Sequence, residues 1–541
     1  MRYELYPVMH RENRGMEMLD LDTLEIVIGG RGPDNPATVF DESSKTLGVK
    51  AQKDLVAPRI GVIYRLDDKT VTRFGYGLAF SGEGFTRPFR GDASFPSALN
   101  QAQPINTDGN QTWGWRATLA DGIPIVEIPS NELVRQPLPL DSANTRTMVP
   151  ETVIRPKIHS WNLAFERQLP YAMSIDVAYV GNRSDGQWAD INVNASTVLG
   201  PTCAVNASDP SDINCPNQTI NGVQGLNNLR PYVSRLDENG NRVPSINPAT
   251  GQPYPNPLNI QTFNAYTGFN KVRYNSLQIS MRRPFRQGLQ LTGAYTMART
   301  RNFNRTYTVD IFQDRNWRPT GRAHVFSSSF VYMLPWQTGR GSGGVVKAII
   351  NDWQVNGIYQ IYSGQRFTVE ADPEEINSQG VTQTADVVGP VVKLGHIGDP
   401  PQPGPDGAFG TADDIAGCLV CDNPGPYYDP FAWAQPTGQR LGNSTLNQFT
   451  GPGATNLDFS LFRAIPLGGN RRMEIRFEAN NVLNRPKWSN PNSTGSGDRL
   501  NWDTFDINPD GSRTLADPDF MVVDNTTGSM RQARVALRFS Y

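Results

Sequence analysis

The chain has 541 residues, 19% of them charged and 38% hydrophobic, with a formal net charge of −2. This balance excludes a chain held disordered by its own charge and offers no electrostatic footprint for nucleic acid. No stretch approaches the ~18–20 continuous apolar residues that a membrane helix requires.

Gly 50 and Pro 42 are high without being periodic, which fits a β protein with many turns and long loops. Residues 1–15 hold no basic segment followed by an apolar run, so no signal peptide is readable there. Residues 1–8 read as a short strand, with Tyr3 and Leu5 on one face, and a polar, irregular segment follows to about Leu55. Residues 58–66 alternate through Ile60, Val62 and Tyr64. After a turn at Asp67-Asp68-Lys69, Phe74, Tyr76, Leu78 and Phe80 carry the return.

A long irregular segment leads to residues 154–169, where Trp161, Leu163 and Phe165 fall in step. Pro170-Tyr171-Ala172 turns into a strand carrying Met173, Ile175, Val177 and Tyr179. A second long segment, rich in Asn and Pro, ends near Thr267. Next comes the clearest unit. Leu277, Ile279 and Met281 alternate with Gln278, Ser280 and Arg282, and Arg286-Gln287-Gly288 turns. Then Leu289, Leu291, Tyr295 and Met297 alternate with Gln290, Thr292 and Thr296. Period 2 on both sides of a tight turn predicts a hairpin with one apolar and one polar face.

The pattern repeats to the C-terminus. Phe326, Phe330 and Tyr332 mark one strand, and Trp353, Val355, Tyr359 and Ile361 the next. Leu457, Phe459 and Leu461 turn at Gly468-Gly469-Asn470 into Met473, Ile475 and Phe477. Val535, Leu537, Phe539 and Tyr541 close the chain. This makes about twelve strands in about six hairpins, with short turns and long loops in strict alternation.

A soluble β-sandwich has no reason to gather its long loops at one end. An outer-membrane barrel does, with short periplasmic turns, long extracellular loops and alternating faces. The predicted fold is all-β: one antiparallel transmembrane β-barrel region over residues 1–541. Its apolar face meets outer-membrane lipid, and Gln278, Arg282, Gln290 and Thr292 face a polar lumen. Tyr64, Phe80, Trp161, Tyr179, Tyr295, Tyr332, Trp353 and Tyr541 are expected in the interfacial girdles. A soluble β-rich binding protein is the competing reading.

Four loop residues are disulfide candidates, Cys203 with Cys215 and Cys418 with Cys421, implying an oxidising compartment. A metal at Cys418 and Cys421 needs further ligands, and the chain has only four histidines. His10, His159, His324 and His396 are scattered and read as surface or lumen residues. Asp406, Asp413 and Asp414, in a Gly-punctuated loop, are weak candidates for calcium, against a solvated acidic turn. No GxSxG elbow, HExxH or phosphate loop is present, and no enzyme activity or other cofactor is expected.

Several ordered motifs carry a family resemblance. They include Ala57-Pro58-Arg59-Ile60-Gly61, Arg73-Phe74-Gly75-Tyr76-Gly77, Glu166-Arg167-Gln168-Leu169-Pro170 and Asp176-Val177-Ala178-Tyr179-Val180-Gly181. Further along come Tyr274-Asn275-Ser276-Leu277-Gln278, Trp353-Gln354-Val355-Asn356-Gly357 and Asn481-Val482-Leu483-Asn484-Arg485-Pro486. In this order the chain resembles the TonB-dependent outer-membrane receptors, specifically their Oar-like branch. The resemblance implies a receptor for a large solute, of unknown identity, energised by the TonB system acting on a plug. It also implies a barrel of about 22 strands, so the chain reads as a C-terminal portion lacking plug, regulatory-like domain and signal peptide. Arg534, Ala536, Phe539 and Tyr541 resemble the terminal signal read by the barrel-assembly machinery, with Ala536 standing where glycine is usual. A surface-binding or adhesion protein that uses its long loops is the alternative function.

Overall fold

The computed structural model describes residues 1–8, 10, 15–20, 22–23, 25–33, 39–81, 134–137, 144–147, 152–192, 262–303, 317–336, 350–372, 382–395, 425–491 except 439 and 470, 499–500, and 504–541 except 518, 524 and 529. Its centre is a 13-stranded sheet in which eleven strands follow one another in chain order, with two short ones off that path. The wall strands are β1 (Arg59–Asp67), β2 (Thr70–Phe80), β3 (Lys157–Leu169), β4 (Met173–Asn192), β5 (Thr262–Arg286) and β6 (Leu289–Phe303). They continue as β7 (His324–Met333), β8 (Trp353–Tyr362), β9 (Ala454–Gly468), β10 (Arg471–Asn480) and β11 (Gln532–Ser540). Each pairs antiparallel with its predecessor. Of the short strands off the path, Trp317–Thr320 pairs with β6, and Asn144–Thr147 pairs parallel with β5.

The alternation sets the register. Leu277 lies opposite Met297, Ile279 opposite Tyr295, and Met281 opposite Gly293; on the other face Gln278 meets Thr296 and Arg282 meets Thr292. One apolar row crosses half the sheet: Val62, Phe74, Leu163, Tyr179, Leu277, Met297. A second crosses the other half: Val355, Leu461, Phe477, Val535. A one-residue slip would turn a whole strand inside out, so continuity across eleven strands fixes one apolar and one polar face. Val62, Phe74, Leu163, Tyr179, Met297 and Val535 are exposed, as side chains that meet lipid rather than a protein core are.

The turn between β5 and β6 has positive φ at both central residues, 51° at Gln287 and 78° at Gly288. That is the geometry of the tight hairpin turn whose twist matches the flanking strands. Gly288→Val puts a β-branched residue into a left-handed conformation. It is expected to lower stability by about 1–2 kcal/mol, read as a lower urea midpoint with an unchanged slope.

The strand predicted at residues 1–8 shrinks to Arg2–Tyr3, which pairs with Val56–Ala57 outside the wall. Phe80 leaves the predicted girdle: it is buried with Leu55 and Ala57, beneath Tyr6. The predicted start at Ile154 moves to Lys157.

Three segments expected to be irregular instead fold, and they build two cores. Near the N-terminus, Met16, Met18, Val27, Phe40, Leu47 and Val49 pack together. Arg135 ties this unit through Asp20 at 3.0 Å, Glu25 at 3.1 Å and Glu42 at 2.7 Å. Burial opposes its charge, but these three acceptors outweigh burial and raise its pKa. The connections after β8 and after β10 build a second core together. Phe367, Val369, Tyr427, Tyr428, Trp433 and Phe449 come from the first connection, and Phe520, Met521 and Val523 from the second. Arg513 joins them by donating to the carbonyls of Trp433 (2.6 Å) and Phe431 (2.7 Å).

Candidate functional site: the polar wall

The polar face is a connected lattice of small hydrogen-bonding side chains. Gln354 donates to Asn356 (2.7 Å), and Asn356 donates to Ser460 (3.1 Å). Asp458 Oδ1 accepts from Asn456 Nδ2 (3.0 Å) and from the backbone N–H of Asn481 (2.9 Å). Glu478 pairs with Arg534 across β10 and β11. These strands line a cavity of 580 Å³ that includes Ser329, Asn356, Asp458, Ser460, Glu478 and Arg534. Both carboxylates already hold a donor, so the cavity presents fixed acceptors beside one guanidinium. It is suited to a polar solute with several hydroxyl or amide groups.

A second groove, of 780 Å³, lies over β1–β6, with Arg59, Ser160, Asn162, Asn182 and Tyr274 among its lining residues. Asn182 donates to Ser160 at 2.9 Å. Gly75 leaves the room that Asn162 fills: a Cβ at Gly75 would stand 2.4 Å from the Asn162 amide oxygen.

The lumen candidates fall on this face. Gln278 donates to Ser276 (3.2 Å), and Thr292 shares a hydrogen bond with Ser329 (2.5 Å). Arg282 lies between Ser174 and Thr292, and Gln290 lies opposite Val331. Two of the histidines read as surface or lumen residues have tyrosine partners. His159 shares the outward face with Trp161 and bonds the Tyr76 hydroxyl through Nδ1 at 2.9 Å; His324 bonds Tyr295 likewise at 2.8 Å. An aromatic partner one strand away was visible only once the register was known.

At the C-terminus, Arg534 and Ala536 point to the polar face, opposite Glu478 and Arg476. Phe539 lies on the apolar face opposite Met473, and Tyr541 is fully exposed beyond the strand end. Cys203, Cys215, Cys418, Cys421, Asp406, Asp413, Asp414 and His396 lie outside the described residues.

An antiparallel all-β meander with one apolar and one polar face has the pattern of a membrane barrel wall. The outer membrane beta barrel domain family matches residues 1–532, and the chain belongs to that family and to the cell outer membrane. No curated protein sequence matches the chain. Among solved structures, the ferric-catecholate import receptor Fiu from Escherichia coli K12 shares 10% identity at a TM-score of 0.32, over 89% of this chain and 34% of that one. The ferripyoverdine receptor of Pseudomonas aeruginosa shares 8% at 0.33, over 89% and 32%. BauA, the ferric preacinetobactin receptor of Acinetobacter baumannii, shares 9% at 0.33, over 90% and 36%. The chain thus spans about a third of the length of these receptors, and likeness at this level carries no argument about function.

Proposed function

We propose that this chain is the barrel wall of a TonB-dependent receptor for a large solute, of the Oar-like branch, and that it is not an enzyme. The carrying observation is the hydrogen-bonded polar face with its 580 Å³ cavity between Asp458 and Arg534. The wall holds and guides the solute, while energy enters through a plug that these strands do not supply. Arg534, Ala536, Phe539 and Tyr541 serve as the mark read at assembly.

In phosphatidylcholine vesicles carrying this chain alone, solute entry is expected to be unchanged by addition of the TonB system. TonB-dependent uptake by the chain alone would overturn the division of labour. For a solute that binds, Asp458→Asn combined with Glu478→Gln is expected to weaken binding about tenfold, the scale of hydrogen bonds to charged groups. Unchanged binding would move the solute site elsewhere.

One observation favours a second reading, adhesion through the loops. The folded unit built from the connections after β8 and β10 leaves Val388, Val391, Val392 and Leu394 exposed in one short segment. Replacing all four by serine and scoring partner capture separately from solute binding distinguishes the two readings.

A further inference from the structure

The outward face of the sheet does not stay apolar to the end that bears the long connections. Beyond Tyr295 and Met297, the next outward positions of β6 are Arg299 and Arg301. In β5, beyond Leu277, they reach Arg273 and Lys271, and in β4, beyond Tyr179, they reach Arg183. Pairing aligns them, with Arg183 opposite Arg273 and Arg273 opposite Arg301. Five cations therefore sit together across three strands, just past the apolar band.

Among the described residues, Asp185 is the carboxylate bound there, to Arg183 at 2.6 Å and Arg273 at 2.8 Å. Arg299 and Arg301 are exposed and make no ion pair among the described residues. The charge of Arg299 is felt nearby: Arg366, on the connection after β8, is held below the ordinary arginine value by burial and then by Arg299. On the side away from the apolar band, Phe303 packs on Trp317 with ring centroids 5.3 Å apart, and Arg273 lies 5.4 Å from the Trp317 ring centroid.

Like charges packed this closely repel unless anions join them. The anion's remaining chemistry is set by the neighbouring surfaces. Below the arginines lies a face suited to acyl chains, and above them lie aromatic rings. A free phosphate uses only the middle layer, whereas a phosphorylated lipid uses the first two together.

We infer that the patch formed by Arg183, Lys271, Arg273, Arg299 and Arg301 binds the phosphate headgroup of an outer-leaflet lipid whose acyl chains lie along Tyr179, Leu277 and Tyr295. This rests on the barrel reading, with the long connections facing outward.

The test uses the full chain in maltoside micelles, with a bisphosphorylated, hexa-acylated glucosamine disaccharide lipid as probe and native mass spectrometry as readout. Arg299→Gln combined with Arg301→Gln is expected to weaken retention about tenfold or more, while Arg286→Gln at the opposite end of β5 leaves it unchanged. The dephosphorylated lipid is expected to bind at least tenfold more weakly, and excess inorganic phosphate is expected not to displace the probe. Equal retention by the double variant, equal binding of the dephosphorylated lipid, or displacement by phosphate each overturns the inference. Flotation with phosphatidylcholine vesicles reports separately on the barrel: a chain that does not float overturns the membrane reading, and floating chains that bind alike overturn only the lipid site.

Discussion

Ile279→Arg is expected to cost about 2–4 kcal/mol of stability in a bilayer, while Gln278→Arg, one residue earlier, costs little. The two positions share a strand, a turn and nearly the same depth; only the face differs. Ile279 lies between Val177 and Tyr295 on the apolar face, and Gln278 between Ala178 and Thr296 on the polar one. A guanidinium at position 279 meets hydrocarbon and loses hydration, whereas at 278 it joins a wall already furnished with Ser276 and Thr296. Urea titration of vesicle-refolded protein measures both. Equal losses at the two positions would contradict the assignment of faces, and a reversed order would place lipid on the polar side.

The second large effect falls in the unit built from the connections. Trp433 is completely buried and meets Phe449, Tyr428 and Phe520 edge-on, with ring centroids 5.2, 5.8 and 6.3 Å away. Trp433→Ala is expected to cost that unit about 3–5 kcal/mol, from lost burial and the cavity left behind. Phe449 and Phe520 belong to different connections, so both should lose their protection together. Limited trypsin digestion checks this: cleavage should appear between β8 and β9 and again between β10 and β11, while the wall fragments survive. Cleavage in only one connection would show that the two fold separately.

The wall was legible because its information is local. Period 2 in residues 277–297 predicts both faces and the turn, and the structure keeps them, with a bulge between Arg283 and Arg286 that shifts the pairing. The cores built from the connections were not legible, for a physical reason. Phe367, Trp433, Phe449 and Phe520 lie far apart in sequence, on strands as short as Arg366–Phe367 and Trp433–Ala434. Two residues carry no periodicity, and the aromatic contacts that join them are invisible until the chain folds. Phe80 failed as a girdle residue on similar grounds, because its cover comes from Tyr6 and Leu55, which precede it by a long interval. In the polar wall, residue types were readable on each strand. The cavity between Asp458 and Arg534 was not, since it needs β7 to β11 side by side.

The in-order run of eleven antiparallel wall strands has a consequence in parity. With each step reversing direction, β1 and β11 run the same way. If they met, they would form a single parallel seam in an otherwise antiparallel wall. That seam would bring the polar-face Arg59 and Arg65 of one edge beside Arg534 and Arg538 of the other. An insert that joins both edges antiparallel must contribute an odd number of strands, and carboxylates facing the lumen on its outermost two would answer the arginines it meets.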